Sequence, residues 1–126
     1  MRLALLGDPV DHSKSPTIHA AALAATGIEG TYTTRRTDAA GVVKAVAELR
    51  DGVLDGANVT MPLKRAALDA ADTASVDAIR AGAVNTLTVR AGAVRVDNTD
   101  IGGIQDVWRR HGLPDGRPTD REGRLL

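Results

Sequence analysis

At 126 residues and 13.1 kDa the chain has room for one domain and not comfortably for two. Sixteen basic residues balance sixteen acidic ones, which argues against a nucleic-acid or anionic-membrane surface. One Trp, one Tyr and no Phe leave no stacking platform for single strands, and the lack of cysteine excludes a disulfide framework, thiolate metal sites and a cysteine nucleophile.

Residues 2–6 form a short apolar run ending at Gly7-Asp8-Pro9, as a buried strand followed by a turn would. Ser15-Pro16 then opens a helix, with Ser15 as its cap and Ile18, Ala21, Ala22 and Ala25 as its apolar stripe up to Gly27. Residues 31–36 read as a β-branched strand. Asp38 caps a second helix, on which Val42, Val43, Val46 and Leu49 recur at helical spacing. Residues 56–61 are a third strand, stopped by Pro62. An alanine-rich helical stretch follows over 64–80, with a candidate break at Asp72-Thr73. Leu87 and Val89, then Val94 and Val96, alternate around Ala91-Gly92 as a hairpin does. A last helix runs from about Ile101 to His111, closed by Gly112 and Pro114. Its Ile101, Ile104, Val107 and Trp108 form an apolar stripe, read as a seam for self-association.

Strands alternating with helices predict an α/β fold: an open, mainly parallel twisted sheet with helices on both faces and one antiparallel hairpin. The amino terminus has too short an apolar run for a signal peptide, and no stretch approaches a membrane span, so the expected setting is the cytoplasm. No set of His, Asp and Glu has metal-ligand spacing, and there is no G-x-G-x-x-G fingerprint.

Four polar clusters could carry chemistry. His12-Ser13-Lys14-Ser15-Pro16 places two hydroxyls at the positive end of a helix, which suits a carboxylate or phosphate. The same residues would equally serve as a cap and its loop. Asn58 and Thr60 share a strand face, and Lys64 follows within a few residues. That trio suits a polyhydroxylated ligand with a proton to move, or a solvated strand end. Lysine is scarce, three against thirteen arginines, which makes Lys64 more informative than most. Asn85-Thr86 precedes the hairpin and Asp97-Asn98-Thr99-Asp100 follows it, both common as turn and cap residues.

Together the clusters are more specific than any one. Gly7-Asp8-Pro9-Val10-Asp11-His12-Ser13-Lys14-Ser15-Pro16-Thr17-Ile18-His19 resembles the amino-terminal signature of shikimate dehydrogenases. So do Asn58-Val59-Thr60-Met61-Pro62-Leu63-Lys64, Gly82-Ala83-Val84-Asn85-Thr86-Leu87 and Asn98-Thr99-Asp100, in the family's order and spacing. Ala20, Val96 and Leu63 depart from the residues common in the family, at positions without a catalytic role there. The resemblance implies NADP-dependent reduction of 3-dehydroshikimate to shikimate, on the route to chorismate and the aromatic amino acids. It implies that Ser13 and Ser15 hold the substrate carboxylate, that Asn58, Thr60 and Asn85 line the ring hydroxyls, and that Lys64 and Asp100 are the catalytic pair. Hydride arriving at the carbonyl carbon builds charge on its oxygen, which calls for a nearby cation and a proton. A carboxylate beside Lys64 favours the ammonium form, so the resemblance makes Lys64 a proton donor in the reduction direction.

Residues 1–111 would then be the substrate-binding domain, and 112–126 a linker and the truncated start of a missing NADP-binding domain. On that reading the chain binds the small-molecule substrate but holds no NADP and turns nothing over alone. The alternatives are a binding-only protein for shikimate-type carboxylates, or one half of a split enzyme whose cofactor domain is a separate chain.

Overall fold

The computed structural model describes residues 1–111. Along them run β1 (Arg2–Gly7), α1 (Ser15–Thr26), β2 (Thr31–Arg36), α2 (Ala39–Arg50), β3 (Gly56–Val59) and α3 (Lys64–Ala70). Then come β4 (Thr73–Ala74), α4 (Val76–Ala81), β5 (Thr86–Arg90), β6 (Ala93–Asp97) and α5 (Thr99–Arg110). The strands make one six-stranded sheet in the order β2-β1-β3-β5-β6-β4. β1 pairs in parallel with β2 and β3, and β4 with β6, while β5 runs antiparallel to both β3 and β6. The architecture is the α/β sheet with one hairpin that the alternation of elements predicts.

Register decides which face each side chain takes. On one face Ala4 and Leu6, Ala57 and Val59, Leu87, Val94 and Val96 are all buried. They pack with Val42, Ala45, Val46 and Leu49 of α2, Ala67 of α3 and Ala78 of α4 in a single aliphatic core. Each buried Val or Leu there stabilises the fold by about 1.5–3 kcal/mol relative to exposure. The opposite face carries Leu3 and Leu5, Tyr32, Asn58, Thr86, Thr88, Arg95 and Asp97. Helix α1 covers its β1–β2 end, so helices do lie on both faces, three on the core side and one on the polar side.

Three local expectations need correction. Ser15 is not the cap of α1: Lys14 holds that position without a side-chain cap bond, and Pro16 falls in the first turn. The Ser13 hydroxyl takes up the Ser15 N–H instead, at 3.2 Å. Nor do Ile18, Ala21, Ala22 and Ala25 face inward; α1 turns Ser15, His19 and Leu23 toward the sheet and leaves Ile18 exposed. On α2 the inward residue is Ala45 and Val43 is exposed. The alanine-rich stretch does break at Asp72-Thr73 as expected, but the break is a strand and not a mere interruption: β4 pairs with β6, which outweighs local helix propensity. Asp72 makes that crossing specific: its carboxylate accepts from the Val94 N–H at 2.7 Å and from Arg50 at 2.7 Å. Asp38 caps α2 as expected, accepting from the Gly41 N–H at 3.0 Å. Residues 112–126, including the predicted linker and strand opening, lie outside the described residues.

Candidate functional site

In the sheet order, β1 and β3 are neighbours whose following helices diverge. α1 crosses the polar face toward β2, whereas α3 packs with α2 on the core face. The crevice between two such strand ends is where open α/β sheets bind ligands. Because β5 is antiparallel to β3 and β6 to β5, the start of β5 and the end of β6 arrive at the same edge. Every cluster singled out in the sequence is therefore brought to one end of the sheet.

The β1 and β3 turns are clasped together by hydrogen bonds from Thr60 N–H to the Leu6 carbonyl, 2.9 Å, and from Asp8 N–H to the Met61 carbonyl, 3.1 Å. A β-carbon at Gly7 would lie 2.3 Å from Thr60 Cγ2, so only glycine lets Thr60 come this close. Past the turn, buried Leu63 anchors the start of α3, and Lys64 is its first residue. The Lys64 ammonium donates to Asp100 Oδ2 at 2.5 Å. Asp100 stands in the first turn of α5, where Asn98 accepts from the N–H groups of Asp100 and Ile101 as the cap. The Asn98 amide in turn donates to the Ala83 carbonyl at 2.9 Å. An acid at this point also lies favourably in the helix dipole.

Asn85 is the hub between these pieces. Its Nδ2 donates to Asp100 Oδ1 at 2.8 Å and Thr99 Oγ1 at 2.9 Å, and its Oδ1 accepts from the Thr99 N–H at 3.1 Å and the Thr86 hydroxyl at 2.9 Å. Asn58 Nδ2 donates to the Asn85 carbonyl at 3.1 Å, and Asn58 Oδ1 accepts from the Tyr32 hydroxyl at 3.0 Å. The hydrogen bond from Lys64 holds the Asp100 carboxyl below the usual carboxylate range, against the opposing effect of partial burial, and Asn85 adds to it. Burial pushes the Tyr32 phenol up, with the neighbouring Ser15 hydroxyl pulling the other way.

A cavity of about 220 Å³ is lined by Ser15, Asn58, Thr60, Lys64, Asn85 and Asp100, together with Leu5, His19 and Val59. Ser13 is not in the lining; it supports Ser15 from behind through the bond described above. Hydroxyls and amides on one side can bond neutral or anionic oxygens, while the ammonium–carboxylate pair on the other offers a cation, a proton and an acceptor. Four residues of this site carry no expected role from the sequence: Leu5, His19, Val59 and, behind His19, Tyr32. The His19 and Tyr32 rings stack with centroids 4.0 Å apart at 14°, and His19 Nδ1 lies 2.9 Å from the Ser15 carbonyl. The available signal was spacing: His19 follows Ser15 by one helical turn and so shares its face. Among the described residues, no three His, Asp or Glu side chains are grouped as a metal site.

The family profile of the shikimate dehydrogenase substrate binding domain matches residues 5–87. The chain belongs to the shikimate dehydrogenase family. Among relatives in that family, shikimate dehydrogenase (NADP(+)) of Nitrosococcus oceani is 39% identical, over 99% of this chain and 44% of the relative. The enzyme of the same name from Xanthomonas oryzae pv. oryzae is 45% identical over 89% of this chain and 40% of its own length. The crystal structure of shikimate 5-dehydrogenase from Thermus thermophilus in complex with shikimate superposes with a TM-score of 0.83 at 40% identity, covering 94% of this chain and 45% of that one. The chain thus spans less than half the length of these shikimate dehydrogenases, and the part it spans is the substrate-binding domain.

Proposed function

We propose that this chain is the substrate-binding part of an NADP-dependent shikimate dehydrogenase, working in the cytoplasm on the route to the aromatic amino acids. Residues 1–111 are its substrate-binding domain and 112–126 lead out of it. The supporting observation is convergence: six of the seven residues implied by the family signatures line one cavity, although they come from four separate stretches of chain. The Thermus thermophilus relative, whose structure contains shikimate, adds support from outside the chain.

In this reading Ser15, backed by Ser13, bonds the substrate carboxylate at the start of α1, and Asn58, Thr60 and Asn85 bond the ring hydroxyls. Lys64 and Asp100 take the reacting oxygen. Oxidation of a secondary alcohol frees a proton from its oxygen, and reduction of the ketone needs one at the same atom. The Lys64 ammonium donates that proton and balances the charge on the oxygen. Asp100, ionised at neutral pH because Lys64 and Asn85 hold its carboxyl low, aims the ammonium and compensates its charge.

The relatives' names include NADP, but residues 1–111 do not fit it. A dinucleotide's pyrophosphate needs an open glycine turn leading from a strand into a helix. Among the described residues only Gly7 stands at such a connection, and the space over it is filled by Thr60. The proposal therefore puts the NADP contacts outside these residues.

The test is a titration of the chain with shikimate, followed by NMR. We expect shifts concentrated at Ser15, Asn58, Thr60, Lys64, Asn85 and Asp100, with a dissociation constant on the order of 0.1–1 mM. Saturating shikimate without shifts at these residues overturns the reading.

A further inference from the structure

We propose that Tyr32 is a positioning residue of this cavity: its hydroxyl fixes the Asn58 amide, and its ring holds His19 as the wall on the α1 side. The proposal deepens the reading above and rests on it for the identity of the ligand.

Tyr32 is the only tyrosine in a chain without phenylalanine, and it stands on an edge strand where a residue of any kind could point to water. Its register partner on β1 is Leu3, whereas Asn58 on β3 is the partner of Leu5. The side chain therefore runs diagonally across β1 on the polar face to reach Asn58 Oδ1 at 3.0 Å. The far side of the Asn58 amide faces the backbone carbonyl of Asn85 at 3.1 Å. A carbonyl oxygen can only accept, so Nδ2 must lie there and Oδ1 must lie toward Tyr32. A half-buried amide held at both ends loses little freedom when a ligand binds, which is how preorganisation raises affinity.

The ring has a separate task. His19 lines the cavity, and it is gripped by the Ser15 carbonyl at Nδ1 and by the Tyr32 face across 4.0 Å. Stacked rings gain beyond the area they bury. A continuous path thus runs from Ser15 through His19, Tyr32, Asn58 and Asn85 to Asp100 and Lys64, linking the carboxylate end of the proposed site to its reacting end. With its phenol raised by burial, Tyr32 stays a protonated donor through neutral pH.

Tyr32→Phe keeps the ring and removes only the hydroxyl. Two quantities are read on the full chain: the side-chain NH2 resonances of Asn58 without ligand, and shikimate affinity by the titration above. Expected are displaced Asn58 resonances and affinity roughly three- to tenfold weaker, about what one lost hydrogen bond gives. His19→Asn, which keeps the Tyr32 hydroxyl and removes the stack, is expected to weaken shikimate binding while leaving the ligand-free Asn58 resonances in place. Unmoved Asn58 resonances and unchanged affinity in Tyr32→Phe overturn the positioning role. If the unmutated chain itself fails to bind shikimate, the functional reading falls, and the ligand-free Asn58 resonances still decide whether Tyr32 orients that amide.

Discussion

Lys64 and Asp100 are 36 positions apart and meet only because β3 and β6 end at the same edge of the sheet. Both side chains are partly open to water, so their contact contributes less than about 1 kcal/mol to stability. Its larger effect is on charge. In Lys64→Met the hydrogen bond that most depresses Asp100 is gone, and the Asp100 carboxyl is expected to titrate closer to its ordinary value of 3.8. A carbon-detected NMR titration of the carboxyl measures this directly. The sign for stability follows. A carboxyl lowered by folding contributes stability that is fully present above its unfolded pKa and lost as pH falls through its folded one. Lys64→Met should therefore lose less stability than the parent chain on acidification below about pH 4. An unchanged Asp100 titration would show that Asn85 and the helix terminus, rather than Lys64, set the charge. At this scale the sequence was readable where residues cluster: Asn58, Thr60 and Lys64 announce themselves by proximity. His19 and Tyr32 do not, because their pairing depends on how α1 lies against β2, a contact that neither segment's pattern encodes.

Among the elements, α5 begins on a single residue. Asn98 is 8% exposed and uses both ends of its amide, one to cap α5 and the other to hold the Ala83 carbonyl. Asn98→Ala removes the cap and leaves that carbonyl unpaired, so a loss of about 1–2 kcal/mol is expected in urea unfolding. Because the same helix end carries Asp100, the variant should also show a broadened Asp100 signal; full stability with a sharp signal would mean α5 is positioned by something else. Asp38 is legible in the sequence as the cap of α2, whereas Asn98 is legible only as one of a run of turn and cap residues before a helix expected to start near Ile101. Ser15 was misread for a physical reason: Ser13 already satisfies its N–H, so the helix begins one residue earlier than the Ser-Pro pair suggests. The break at Asp72-Thr73 is legible in the sequence, but its being the strand β4 is not, since a strand so short exists only by virtue of its partner.

Over the whole molecule, apolar surface is unevenly distributed. One face of the sheet is sealed by α2, α3 and α4, while Ile104, Val107 and Trp108 of α5 are 58%, 56% and 38% exposed. The stripe foreseen on this helix is real, but within residues 1–111 no residue of α5 is buried. Exposed apolar surface of this kind favours association. The chain is expected to self-associate with rising concentration, and Trp108 emission to shift to shorter wavelength as it does. A concentration-independent emission maximum together with a monomer in sedimentation would contradict this.

The sheet is also two units joined along one line, the parallel β2-β1-β3 set and the β5–β6 hairpin, whose first strand runs against that set. Asn85 is the stitch: its carbonyl accepts from Val59 and Asn58, its N–H donates to Asp97, and its side chain ties in Thr99 and Asp100. The cavity straddles that line, with Ser15 and Thr60 on one bank and Asn85 and Asp100 on the other. Any occupant that touches both banks must be released before the units can part, so it adds its own binding free energy to the cost of separating them. Ligand binding and stability of the fold are then one equilibrium seen from two sides: an occupant that prefers the joined units to the parted ones holds them together by its own binding free energy.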